Sequence, residues 1–596
     1  MANGYMNKFL FIDISSKRFE FRETIKEDFE EFIGGKGLGL RLLIKNGLVT
    51  QDPFSPENPI IFLTGPFTGT AVQTSARSTL VTKSPLTGTF LDSHVGGHFG
   101  PMIKRVGVDY IYIVGKSESP IYLYITPKNV VFEDARYLWG KGIFETEKKL
   151  KEKYPSSRVA AIGPAGENLV RFACIGTDYY RQFGRGGSGA VMGYKKLKAV
   201  VLEGSEKIEY FDRDSFMKIN KKLTKDIVSH PNRKKRYELG TAMWVRMGQE
   251  DGKFLPTRNF QDVQFEEYEK ITSESMKKEL SWKSVGCFNC AILCSKLAHW
   301  DGKEVEGPEY ETTAYLGSGC GIGDPKAVAY ANYLVDDLGL DSISTGVVIS
   351  FAMEAFEKGA ITLDDTDGIE LNFGNKEALF SMIRKIAYRE GIGNLLAEGT
   401  RRASGKIGKA SEYYAIQIAG MELSGVNIKG CASMGLVLAT SDFASHTRFW
   451  SATAEMNGLL NFENTPKFVK EGQDNINARN SLIVCDFVPY DLDRFVPILE
   501  KITGFKKSVE DLMRLGEKIS NLTRLYNLKN GRRREDDTLP PRFLEEKHLS
   551  GIFKGKYLTR EIFSKWLDMY YDVRGWTKEG VPSQKKLREI GIDNKF

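Results

Sequence analysis

The sequence predicts an α+β protein of two to four domains, with β structure gathered in the first third and helices in the remainder. Three observations lead there. The chain has 596 residues, too many for one hydrophobic core. Within residues 1–208, runs at 8–13, 60–63, 110–114, 121–125 and 198–202 are rich in apolar, β-branched or aromatic residues and closed by turn residues. From about residue 209 the apolar spacing becomes helical, at 214–229, 326–338, 376–390, 509–528 and 560–571. A second boundary near Gly420 divides the chain into 1–208, 209–419 and 420–596.

Composition narrows the class. A hydrophobic content of 41% with 27% charged residues describes a soluble globular protein. No stretch of about 20 apolar residues is present, so no membrane span is expected. The first residues lack the charged start and apolar run of a signal peptide. Seven cysteines, odd in number and clustered, suit a reducing cytoplasm. A net charge of +7 is mild for this size and makes no case for nucleic acid. The basic runs 233–236 and 532–534 read as solvated faces, although a modest positive field also suits steering of an acidic redox partner.

Glycine is dense in the β-rich part. The run Gly184-Arg185-Gly186-Gly187-Ser188-Gly189 formally matches G-x-G-x-x-G. A dinucleotide fold needs a strand before it, a helix after it and an acid about 20 residues on. Ala190-Val191-Met192-Gly193 and then a strand follow instead, so that reading is set aside. Gly-rich turns still permit close backbone approach and converging N–H groups, which suits a phosphate. Arg77 and Arg185 add guanidinium forks, with tight turns and surface arginines as the alternative.

The densest chemical signal is Cys287-Phe288-Asn289-Cys290-Ala291-Ile292-Leu293-Cys294, a C-x2-C-x3-C run. Structural zinc would want a second Cys/His pair nearby; the nearest histidine is His299, and no second C-x2-C exists. A disulfide framework does not fit three clustered and four scattered cysteines. Buried apolar cysteines remain the bland alternative. An iron–sulfur cluster fits best, with three local thiolates and a distant fourth. Cys485 is the natural candidate, against Cys174, Cys320 and Cys431. Further on, Asp336-Asp337-Leu338-Gly339-Leu340-Asp341 ends a helix at Gly339 and offers carboxylates to an amino-bearing heterocycle, or simply to solvent. Ser445-His446-Thr447-Arg448 sets a lone histidine beside an arginine.

Taken in order, these motifs resemble the tungsten-containing aldehyde:ferredoxin oxidoreductases nearly end to end. The likeness is carried by Gly35-Lys36-Gly37-Leu38-Gly39, Thr82-Lys83-Ser84-Pro85-Leu86-Thr87-Gly88, Gly184-Arg185-Gly186-Gly187, the cysteine run, Pro308-Glu309-Tyr310-Glu311, residues 336–341, Leu396-Ala397-Glu398-Gly399 and Asp536-Asp537-Thr538-Leu539-Pro540-Pro541-Arg542-Phe543. The resemblance implies an N-terminal β-sheet saddle covered by two mainly helical domains. A tungsten bis-pyranopterin (tungstopterin) and a [4Fe-4S] cluster are implied between them. Cys287, Cys290, Cys294 and Cys485 resemble the cluster ligands. Asp336, Leu340 and Asp341 resemble pterin contacts, and Arg77, Gly96, Arg185 and Gly186 the cradle of the β domain. Glu311 and His446 match the family's acid/base pair, with Arg448 beside it.

Two departures stand out. The second pterin motif, normally D-x-x-G-L-C, reads Asn480-Ser481-Leu482-Ile483-Val484-Cys485, with asparagine for the acid and no glycine. His94 stands where the family often has an asparagine that helps hold magnesium between the pterin phosphates; main-chain carbonyls at His94 and Gly186 are the candidates here. The resemblance implies oxidation of a small aldehyde to an acid, with electrons passing to ferredoxin or a ferredoxin-like iron–sulfur subunit. Leu255-Pro256-Thr257-Arg258-Asn259-Phe260 resembles the aldehyde-oxidising branch. The alternatives are a reductive subunit of a larger complex acting on acids or aromatic thioesters, and a non-catalytic electron-transfer subunit. An oligomer is compatible with the sequence but not specified by it.

Overall fold

In a computed structural model, which describes residues 2–592, two mixed sheets form the first third of the protein. The first contains β1 (Lys8–Asp13), β2 (Arg18–Glu23), β3 (Ile60–Leu63), β4 (Ser78–Lys83), β5 (Phe90–Val95) and β6 (Tyr110–Val114), in the order β2-β1-β6-β3-β4-β5. The second contains β7 (Ile121–Ile125), β8 (Val130–Asp134), β9 (Arg158–Ala161), β10 (Ile175–Thr177), β11 (Arg181–Phe183) and β12 (Leu197–Leu202), in the order β11-β10-β9-β12-β7-β8. Each sheet has one parallel pairing, β1 with β6 and β12 with β7.

Period-two alternation explains how the sheets stack. On β3, Ile60 and Phe62 point into a core shared with Leu123, Ile125, Val200 and Leu202 of the second sheet. Ile61 and Leu63 point the other way, into a core that includes helical residues such as Leu38, Leu515 and Ile519. The predicted strands at 8–13, 60–63, 110–114 and 121–125 match the observed bounds, and β12 begins one residue earlier than expected. Local signal missed the polar β2, the Thr/Ser-bearing β4 and the three-residue β10 and β11, which are held by neighbours rather than by propensity.

Helices used below are α1 (Gly35–Lys45), α2 (Ser188–Tyr194), α3 (Arg213–Ser229), α4 (Pro231–Leu239), α5 (Tyr310–Leu316), α6 (Pro325–Leu338), α7 (Ser342–Glu357), α8 (Thr465–Leu482) and α9 (Val509–Lys529). A three-stranded sheet, β13 (Lys283–Val285), β14 (Ser295–Trp300) and β15 (Lys303–Glu306), interrupts the helical part. The α2 helix corrects the expectation that no helix follows the Gly-rich run: β11 enters it and α2 leaves it. The dinucleotide reading still fails. The β11 strand is an edge strand paired antiparallel to β10, and α2 leads to β12, which is separated from β11 by β10 and β9 rather than lying beside it in parallel. The basic run 532–534 is also corrected in part, because Arg532 is buried against Asp537. No helix among the described residues is long and apolar enough to cross a membrane.

Candidate active site and cluster loop

The C-x2-C-x3-C run connects β13 to β14 and is neither helix nor strand. Left-handed backbone at Asn289 (φ 46°) and Leu293 (φ 52°) curls it. The β domain grips the curl: Phe288 N donates to the Gly97 carbonyl at 3.0 Å, Thr74 N to the Asn289 carbonyl at 3.2 Å, and Ala291 N to Gln73 Oε1 at 2.9 Å. A Cβ built on Gly96 would lie 2.6 Å from Cys287 Sγ, so only glycine leaves room for that thiol. All seven cysteines are free of disulfides. Cys485 lies within electrostatic reach of Cys290 and Cys294, and Cys294 within reach of Cys287. Cys174, Cys320 and Cys431 are fully buried and instead meet Gln182, the Tyr315 carbonyl and Glu455.

The four thiols suit a charged metal body. Burial pushes Cys485 up to about 11 and raises Cys290 and Cys294. Neutral thiols in such a setting ionise when a bound cation offsets the burial. No group of three or more His, Cys, Asp or Glu among the described residues is arranged to hold a metal ion. A multi-iron cluster spreads its thiolates more widely than one ion does. Arg77, beside Cys485, pairs with Asp486 at 2.7 Å.

The residues of the 336–341 motif are placed by two helix ends. Gly339 (φ 78°) terminates α6, and Asp341 caps α7 by accepting from Ile343 N at 3.0 Å. Asp336 sits in the last turn of α6, where Gln182 and Asn332 donate to it at 3.4 and 3.2 Å. Burial, then the nearby Glu306, pushes its carboxyl well above the usual range. Leu340 is buried, bridging to Ala173. In the second motif Asn480 lies in the last turn of α8, and Ile483 takes a left-handed conformation (φ 60°) at the position of the family's glycine. A branched residue pays about 1–2 kcal/mol there. Its side chain is packed against Gly35 and Gly65, where a Cβ would come within 2.3 and 2.7 Å of it.

Arg185 is committed within the protein. It donates to Asp341 Oδ2 at 3.1 Å and to the carbonyls of Ala444 and Glu422 at 3.0 and 2.6 Å, tying the glycine-rich turn to three later segments. The Gly186 carbonyl accepts from Ser84 Oγ at 2.7 Å. His94 spends its ring on Asp92 Oδ2 (2.9 Å) and Thr79 Oγ1 (3.0 Å), and burial lowers its pKa. Arg448 donates to both oxygens of Asp92, at 3.1 and 2.6 Å, and faces Asp442 at 2.7 Å. Lys36 completes this buried network, 2.6 Å from Asp442 and 3.5 Å from Asp92. Burial alone pushes Asp92 up, but Arg448 and Lys36 outweigh it and hold the carboxyl well below its ordinary value. Lys36 was visible only as a charge inside a glycine-rich motif, and neither Asp92 nor Asp442 had a sequence signal.

Glu311 and His446, 135 residues apart in sequence, come together: His446 Nδ1 is 3.2 Å from Glu311 Oε1. Glu311 stands in the first turn of α5 and accepts from Gly425 N through Oε2 at 3.1 Å. Its other oxygen, Oε1, is buried and makes no hydrogen bond among the described residues. Burial raises its pKa, only partly offset by His446. Sequence reasoning missed the residues that fix this pair. Ser424 Oγ accepts from His446 N at 2.9 Å and meets Nδ1 at 3.2 Å. Tyr310 donates to the Gly425 carbonyl at 2.8 Å. A Cβ on Gly425 (φ 92°) would lie 2.8 Å from the His446 Cβ. Trp450 meets the imidazole edge-on at 6.3 Å and packs on Trp244 at 4.9 Å, making one aromatic wall. A carboxylate of raised pKa facing an imidazole is equipped for proton transfer.

The fold and these paired sites define an oxidoreductase of a known family. Residues 9–204 match the aldehyde ferredoxin oxidoreductase N-terminal domain, and residues 218–592 match domains 2 and 3 of the same enzyme. The chain belongs to the aldehyde ferredoxin oxidoreductase family. It is 38% identical to a tungsten-containing aldehyde ferredoxin oxidoreductase of Pyrococcus horikoshii, over 99% of both chains. It is 32% identical to the WOR-like subunit of an aliphatic sulfonate oxidoreductase of Pyrococcus furiosus, over 99% of this chain and 97% of that one. Among solved structures, the active-site complex BamBC of benzoyl coenzyme A reductase superposes with a TM-score of 0.87 at 25% identity, covering 99% and 98% of the two chains.

Proposed function

We propose that this chain oxidises small aldehydes to carboxylic acids at a tungsten bis-pyranopterin centre and sends the electrons through a [4Fe-4S] cluster to ferredoxin or a ferredoxin-like subunit. The observation that carries the reading is the Glu311–His446 pair, a largely buried carboxylate whose Oε1 lies 3.2 Å from an imidazole nitrogen. Aldehyde and water give acid, two protons and two electrons. Glu311 takes a proton from the water that adds, and His446 hydrogen-bonds the carbonyl oxygen. Ser424 and Gly425 hold the two side chains at fixed separation, and Trp450 shields them on one side. The tungsten centre, when bound, accepts the electron pair.

Cys287, Cys290, Cys294 and Cys485 would hold the cluster. Asp336, Leu340, Asp341 and Asn480 would meet the pterins, with Arg77, Gly96 and Gly186 at the β-domain side and Arg185 and Arg448 bracing them. Magnesium would be held by main-chain carbonyls at His94 and Gly186. The likeness to BamBC supports a second, reductive reading on aromatic thioesters. The test is an anaerobic assay of aldehydes of graded size with a viologen acceptor, beside tungsten and iron analysis. The proposal expects aldehyde-dependent viologen reduction by a tungsten-loaded enzyme. A loaded enzyme that ignores every aldehyde but reduces an aromatic thioester establishes the second reading instead.

A further inference from the structure

The basic run 233–236, read from sequence as a solvated face, lies on α4, and α3 and α4 both abut the cysteine loop. The α3 helix buries Phe216, Asn220, Leu223 and Ile227. At 3.6 residues per turn its opposite face is Lys218, Lys221, Lys222 and Lys225, with the exposed Asp214 one turn before them and no acidic residue between them on that face. All four are exposed, and none forms an ion pair among the described residues. Exposed Met217 and Val228 flank them. On the inner side, Asn220 donates to the Ala71 carbonyl at 2.7 Å, and that same carbonyl accepts from Asn289 of the cysteine loop at 2.7 Å. The α4 helix is anchored the same way: Arg233 donates to the Ala291 carbonyl at 2.9 Å, and Arg236 stacks 4.6 Å from the ring of Phe487, two residues after Cys485. The α4 helix is therefore held directly on the segments that carry the four thiols and α3 through the shared Ala71 carbonyl, and both leave lysines facing solvent.

We propose that the α3–α4 face is the docking surface for an acidic iron–sulfur electron-carrier protein. The inference rests on the redox reading above and adds where the partner sits. Unpaired lysines around apolar spots match an acidic partner, and their attachment to the cysteine loop makes this the face where docking shortens the electron's path. Each encounter moves one electron: the enzyme's cluster is oxidised as the carrier's cluster is reduced, so two encounters clear one aldehyde oxidation. The test uses the full-length, cluster-loaded enzyme reduced with titanium(III) citrate and mixed with an acidic [4Fe-4S] ferredoxin, so that it does not depend on which substrate the enzyme takes. Reversing Lys218, Lys221, Lys222 and Lys225 to glutamate should slow ferredoxin reduction at least about tenfold at low salt, within the range of electrostatic steering. The gap should close as salt rises. Methyl viologen reduction and the cluster EPR signal should not change. A control reverses exposed Lys148, Lys406, Lys547 and Lys585 on other elements. Equal ferredoxin rates in wild type and the α3 variant overturn the proposal, as does an equal loss in the control. Loss of RNA or anionic-vesicle binding in the α3 variant, with ferredoxin transfer unchanged, overturns it in favour of a different partner. Failure of the aldehyde assay alone bears on the function proposed above and leaves this measurement standing.

Discussion

Replacing Glu311 with glutamine tests the acid/base assignment with little change of shape. Glutamine can still accept from Gly425 N as Oε2 does now at 3.1 Å, and it stays packed beside His446. What it loses is the basic Oε1. A general base contributes about 10²–10⁴-fold, which corresponds to about 2.7–5.5 kcal/mol of barrier. Turnover should fall by that factor, with tungsten and iron content unchanged. The pH profile supplies a second signature. Burial raises the Glu311 pKa, so the wild type should gain activity as pH rises through the raised value, and E311Q should lack that limb. Stability runs the opposite way. The folded state holds this proton more tightly than the unfolded chain, so the associated stability is complete below the unfolded pKa and is lost as pH rises through the folded one. Glutamine stays neutral, so at pH 8 the variant should unfold at a temperature equal to or above that of wild type. Anaerobic aldehyde-dependent viologen reduction, metal analysis and calorimetry make the comparison. Near-normal turnover in a fully metallated E311Q enzyme would remove Glu311 from the mechanism.

The remaining predictions address the cluster and the buried network. C485S should disturb the [4Fe-4S] EPR signal while C174S, C320S and C431S leave it intact, because those three buried thiols meet other partners; an unchanged signal in C485S assigns the fourth ligand elsewhere. G96A places a methyl 2.6 Å from where Cys287 Sγ now lies, so iron per chain should drop while circular dichroism stays native; full iron loading would show that the loop gives way easily. R448M leaves Asp92 and Asp442 short of a buried partner and should cost about 3–5 kcal/mol, read as a lowered denaturation midpoint. G425A forces a methyl to within 2.8 Å of the His446 Cβ at a left-handed backbone position, and should lower turnover with metal content unchanged.

The sequence by itself determined what local chemistry can encode. Strands such as 60–63 and 110–114 were legible because hydrophobic runs end in turn residues. Helices such as α6 and α9 were legible from apolar spacing, the first also from its end at Gly339; the structure adds the caps Asp324 and Ser508. The three-cysteine run and the carboxylates around Gly339 were legible as candidate metal- and heterocycle-binding groups from local spacing alone. Tertiary structure decided which of these groups meet. Arg448 finds Asp92 across 356 residues, and Arg185 gives its donors to Asp341, Ala444 and Glu422. Ser424 and Gly425, silent in sequence, set the Glu311–His446 separation, and the α3 lysines, ordinary as a charge run, become notable only because Asn220 and Asn289 share the Ala71 carbonyl. The physical reason is the same throughout. Propensity and capping act within one or two helical turns, whereas burial, ion pairing and carbonyl sharing depend on chain segments that only folding brings within about 3–4 Å.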